Sequence, residues 1–139
     1  MPSEQKTRLL PTAAQDQEDG DSEAEPGKEP IQYEQAIEEF DGDKDLLDHL
    51  IAGFLENLRK QIPALSRALK KGDAREMLFI AHRIKGGAAN LTAYPLSAAA
   101  AKLEALSESG KLEGAAPLIK NIKKEIKRLR DFLTKYIQL

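Results

Sequence analysis

The chain has 139 residues, 32% of them charged and 5% aromatic, with no Cys and no Trp. That gives room for one domain with some length to spare, excludes a disulfide framework and a thiolate metal site, and leaves the core to Leu, Ile and Ala. The net charge of −2 hides an asymmetry, because residues 1–30 hold eight acidic side chains against Lys6, Arg8 and Lys28, and the mildly basic remainder is too weakly charged to point to nucleic acid.

Residues 1–30 are rich in Gln, Glu, Asp, Ser, Pro and Gly and hold almost nothing that could be buried, the pattern of a disordered acidic tail or linker. The apolar pair Leu9-Leu10 stops at Pro11 and runs into acids, unlike a secretory signal. No stretch approaches the roughly 18 apolar residues of a membrane span. A soluble, cytoplasmic protein is expected, with its domain over 31–139.

From Ile31 the pattern turns helical. Tyr33, Ala36, Ile37 and Phe40 share one face of a short helix that stops at Asp41-Gly42. Asp43 suits the N-cap of the next helix, with Asp45 and Asp48 in its first turns, where the macrodipole favours acids. Its apolar stripe is Leu47, Leu50, Ile51, Phe54, Leu55 and Leu58, and it resumes in phase beyond Pro63 with Leu65 and Leu69. One kinked helix or two collinear ones end at Gly72. Asp73 then caps a third helix running to about Leu91, with a buried arc of Ala74, Met77, Leu78, Ala81, Ile84, Ala88 and Leu91. Thr92 to Pro95 makes a turn, with Pro95 placed at the first position of a fourth helix that presents Leu96, Ala99, Leu103 and Leu106 and ends at Gly110. The last helix starts after Gly114 or near Pro117 and repeats Ile119, Ile122, Ile126, Leu129, Leu133 and Tyr136 in alternating steps of three and four. The fold class is all-α: an antiparallel four-helix bundle with a short extra N-terminal helix.

Of the two histidines, His49 projects away from its helix's apolar stripe among charged neighbours and reads as a solvated surface residue. His82 lies well over 90° from the centre of the third helix's buried arc at about 100° per residue, so it should be exposed, with Phe79 before it and Gly86 after it on the same face. Lys85 sits between His82 and the buried arc, within reach of the ring. Gly86-Gly87 costs about 2 kcal/mol relative to two alanines inside a helix, and something must offset that. Gly87, on the buried side, could admit a neighbouring helix; Gly86 faces outward, where a missing side chain makes room for a partner, and Ala89 continues the cleared strip. A phosphoryl carrier needs these features: a neutral imidazole nitrogen is a nucleophile near pH 7, and the transfer needs in-line access and nearby positive charge. On these residues alone, an ordinary surface His-x-x-Lys pair accounts for the pattern equally well.

The run Ala81-His82-Arg83-Ile84-Lys85-Gly86-Gly87-Ala88-Ala89-Asn90-Leu91 closely resembles the phosphoacceptor motif of histidine-containing phosphotransfer (HPt) domains, usually A-H-x-L-K-G followed by small residues. Upstream, Leu46-Leu47, Phe54-Leu55, Pro63 and the Lys71-Gly72-Asp73 turn are similar to the family. So is the downstream stretch from Leu96 through Ala99 to Leu103-Glu104, which resembles its L-x-x-x-A-x-x-L-E pattern. The resemblance covers roughly 33–135. Ile84 stands where Leu is usual and Thr92 where the family commonly has Gly.

The resemblance implies a phosphorelay module whose phosphoacceptor is His82. Lys85 would stabilise the phosphoryl group and Gly86 would give a partner access, with Phe79, Arg83 and Ala89 as the partner-binding surround. The partner would be the receiver domain of a response regulator or hybrid histidine kinase. Mg²⁺ would be held by that receiver, with no metal or cofactor on this chain, which is expected to be a monomer. Two rivals differ in kind. A sensor-kinase dimerising domain typically has an acid after its His, where this chain has Arg83. In a structural helical adaptor His82 would be incidental. The basic run Lys120, Lys123, Lys124, Lys127 and Arg128, opposite the isoleucine seam, reads as a solvated face.

Overall fold

The computed structural model describes residues 29–139, so the tail expected over 1–30 lies, up to residue 28, outside the described residues. Pro30, at the edge of that segment, is buried. Among the described residues there are five helices and no strand: α1 (Tyr33–Glu39), α2 (Lys44–Lys71), α3 (Ala74–Asn90), α4 (Tyr94–Glu108) and α5 (Ala115–Leu133). None of them is long and apolar enough to cross a membrane.

The helix boundaries follow from local chemistry. The Asp43 and Asp73 carboxylates accept from the backbone N–H groups of Leu46 and Glu76, each at 3.0 Å, which satisfies donors that a helix start leaves open. Gly72 closes α2 with φ +70°, a conformation that is strained for a residue with a Cβ. Pro63 does not split α2, which is one helix of 28 residues. The missing hydrogen bond is tolerated because Leu58, Leu65 and Ala68 on either side are all buried. Pro95 stands at the second position of α4, one later than the sequence suggests, with Ala93 as N-cap.

α2, α3, α4 and α5 form the bundle. α3 packs on α2 and α4, and α5 packs on α4 and α2, so α3 and α5 occupy diagonal corners; α1 lies on α2. The residues that meet between α3 and α4 fall in number along one helix as they rise along the other, Lys85 with Ser97 and His82 with Glu104, so the two run antiparallel. Small buried side chains (Ala81 and Ala88 on α3, Ala99 and Ala100 on α4) let this pair approach closely.

The buried set differs in places from the sequence expectation. Ile80 is buried, while Ala74 and Leu78 are only half-covered. Leu50 is 39% exposed and Tyr136 38%, because the apolar stripes are wider than the helices packed against them. Glu125, inside the α5 seam, is 2% exposed and takes Nη1 of Arg128 at 2.5 Å, which makes its burial tolerable.

The α3–α4 turn carries the most demanding backbone. α3 ends with the N–H of Thr92 on the Ala89 carbonyl and that of Ala93 on the Ala88 carbonyl, and Thr92 has φ +63°. A β-branched residue in the left-handed region costs on the order of 1–2 kcal/mol. The offset is visible: fully buried Thr92 donates its hydroxyl to the Gln32 carbonyl at 2.9 Å and accepts the Gln32 N–H at 3.2 Å. The residue that closes α3 thus also ties down the segment leading into α1.

Candidate functional site

The exposed face of α3 gathers the expected residues at helical spacing. His82 is exposed, its side chain at 67%. Phe79, one turn earlier, is 58% exposed, and the Arg83 guanidinium lies 5.5 Å from the centre of its ring, so the ring keeps an exposed edge while one face interacts with a cation. Ala89 is exposed further along the same strip.

The two glycines separate by role. A Cβ built on Gly86 would meet nothing within 4 Å, whereas one on Gly87 would stand 2.8 Å from Cε1 of Phe54. Gly87 therefore lets the Phe54 ring of α2 lie against the α3 backbone. Gly86 has no such packing reason and leaves open space one turn from His82.

Sequence reasoning named Glu104 only as part of a pattern and gave it no role. It reaches from α4 and joins His82 to Lys85: Oε2 lies 2.6 Å from His82 Nδ1 and Oε1 lies 2.6 Å from Lys85 Nζ. The Lys85 ammonium, and after it His82, hold the Glu104 carboxyl below the usual carboxylate range. An ionised carboxylate only accepts hydrogen bonds, so Nδ1 of His82 must carry a proton. In the neutral ring the lone pair is then on Nε2, which has no hydrogen-bond partner among the described residues. Ser97 fixes the register beside the site by donating its hydroxyl to the Lys85 carbonyl at 3.0 Å.

His49 is exposed, as expected, and it lines an open groove of about 690 Å³ with Leu50, Phe54, Gly87 and Leu91. The groove runs along the α2 side of α3, where Gly87, next to Gly86 in the chain, forms part of its wall. Lys120, Lys123, Lys124 and Lys127 are exposed on α5, and Arg128 is half-buried against Glu125. Among the described residues no three His, Cys, Asp or Glu side chains come together as a metal site.

The geometry describes a solvent-facing imidazole with one nitrogen anchored, the other free, a cation beside it and open space along the helix. A family model described as "Hpt domain" matches residues 49–132. The fold is similar to the crystal structure of histidine-containing phosphotransfer protein B (HptB) from Pseudomonas aeruginosa PAO1, with 24% sequence identity, a TM-score of 0.70, and coverage of 76% of this chain and 92% of that one. A search of the curated proteins found no match.

Proposed function

Because this chain belongs to the Hpt domain family, the histidine phosphotransfer modules that work with receiver domains in phosphorelays, we propose that His82 is its phosphoacceptor. In this reading His82 takes a phosphoryl group from a receiver-domain aspartate or a histidine kinase and passes it to a response regulator. The observation that carries the proposal is the anchoring of Nδ1 by Glu104, which directs the reactive lone pair to Nε2 on the exposed side.

The step balances without any further group on this chain. Nε2 attacks the phosphorus of an aspartyl phosphate in line, the bond from phosphorus to the aspartyl oxygen breaks, and the carboxylate leaves with the electron pair. The ring keeps its Nδ1 proton and becomes a positively charged phosphoimidazolium, which the Glu104 carboxylate stabilises. Lys85 offsets the phosphoryl charge by moving between Glu104 and the phosphoryl oxygens. Transfer onward is the same reaction in reverse on a second receiver. Mg²⁺ enters with the receiver's own carboxylates. Gly86 leaves room for the receiver loop, and Phe79, Arg83 and Ala89, with the groove floored by Leu50 and Phe54, offer docking surface.

The test is incubation of the chain with a phosphorylated receiver domain, followed by assay for acid-labile, base-stable phosphate on this chain. Acid-stable label, or none, overturns the proposal.

A further inference from the structure

Two charge runs stand apart from the His82 site. Residues 16–25 contain Asp16, Glu18, Asp19, Asp21, Glu23 and Glu25 with no Lys or Arg among them. On α5, Lys120, Lys123, Lys124 and Lys127 are all exposed. Like charges so close along one helix repel each other, and among the described residues Lys127 is offset by Asp131 at 2.8 Å.

The topology brings the two runs within reach. Glu29, the first described residue, lines a small pocket with Gln32, Tyr33, Phe132 and Tyr136, and the Tyr33 and Tyr136 rings stack with centroids 4.3 Å apart. The preceding chain therefore departs beside the C-terminal end of α5. From Phe132 back to Lys120 is about 18 Å along a helix, and the stretch from residue 29 to residue 16 can span about 43 Å when extended. We propose that the acidic segment 16–25 docks along the basic face of α5 and covers it. Single surface ion pairs are weak, but tethering supplies an effective concentration on the order of millimolar, and several pairs form together. Because α3 and α5 sit on diagonal corners of the bundle, the docked segment covers the positive surface away from His82. That surface would otherwise compete for acidic partners, and covering it leaves the His82 face as the docking surface. The proposal is independent of the identity of the phosphoacceptor.

The test is zero-length carbodiimide cross-linking of the full chain, which joins a carboxylate to an amine only where the two touch, on an equal mixture of isotopically light and heavy protein. The expected result is light–light and heavy–heavy peptides linking residues 16–25 to Lys120, Lys123, Lys124 or Lys127, several-fold enriched over links to the exposed α2 lysines Lys60, Lys70 and Lys71. The enrichment should vanish at about 1 M salt, where the screening length falls to about 3 Å. Replacing Lys120, Lys123 and Lys124 by Gln should shift the backbone amide resonances of residues 16–25 while leaving the helical circular dichroism unchanged. Links spread evenly over all exposed lysines, mixed light–heavy links alone, or unmoved amide resonances in that variant would each overturn the proposal.

Discussion

Glu104 Oε2 lies 2.6 Å from Nδ1 of His82, across the α3–α4 interface, while the other oxygen of the same carboxylate holds Lys85. One side chain thus orients His82, the proposed nucleophile, and positions the Lys85 cation beside it. Glu104→Ala should slow phosphoryl uptake by roughly tenfold to a hundredfold, the scale found when the group orienting a metal-bound histidine is lost. Glu104→Gln should cost less, because an amide oxygen can still accept from Nδ1–H. Lys85→Ala should slow uptake without abolishing it, since the nucleophile remains. Single-turnover transfer from a phosphorylated receiver measures all three. Equal rates for wild type and Glu104→Ala would remove the positioning role.

The same carboxylate makes a pH prediction for stability. Its folded-state pKa is lowered, chiefly by Lys85 and then by His82, so the folded form binds its proton less readily than the unfolded form. The resulting stabilisation is full above the ordinary Glu value of about 4.3 and fades as pH falls through the lowered folded value. Melting temperatures of wild type and Glu104→Gln should therefore converge as the buffer is acidified through that window. A gap that stays constant across it would contradict the assignment.

The adjacent glycines should respond in opposite ways. Gly86→Ala meets open space and should leave the fold intact or stabilise it by up to about 1 kcal/mol. Gly86→Glu should fold and yet block transfer. Gly87→Leu drives bulk into the Phe54 ring and should destabilise by about 1–3 kcal/mol. Urea midpoints together with transfer rates separate the two roles. If Gly86→Glu melts the domain, that glycine is structural.

Thr92→Val keeps the shape and the strained φ but removes the hydroxyl that donates to the half-buried Gln32 carbonyl, which still accepts the Ala36 N–H. A loss of about 0.5–1.5 kcal/mol is expected, with α1 the first element to lose protection in hydrogen exchange. An unchanged urea midpoint would show that the bond contributes nothing.

What the sequence made legible was what lies close along the chain. The exposure of His82, the opposite facings of Gly86 and Gly87, and the caps at Asp43 and Asp73 all follow from helical spacing and short-range hydrogen bonding. Glu104 went unassigned because it meets His82 from another helix, 22 positions away, and no single-helix periodicity reports such a pairing. The signal was present in the Leu103-Glu104 pair of the matched pattern, an acid one residue from a core leucine. Leu50 was expected inside because a stripe drawn on one helix cannot show where its neighbours stop. Glu125 was missed because the seam of α5 was traced through Ile126, and its burial depends on Arg128 one turn further on. The bonds that let Thr92 adopt φ +63° come from Gln32, 60 positions earlier.

The most direct test of the central claim is transfer from a phosphorylated receiver to wild type, His82→Gln and His49→Gln, with the phosphorylated atom located by ¹⁵N and ³¹P resonance. Rapid uptake is expected for wild type and His49→Gln, none for His82→Gln, and phosphorus on Nε2 of His82 with Nδ1 still protonated. Uptake by His82→Gln at the wild-type rate, or phosphorus on Nδ1, would contradict it.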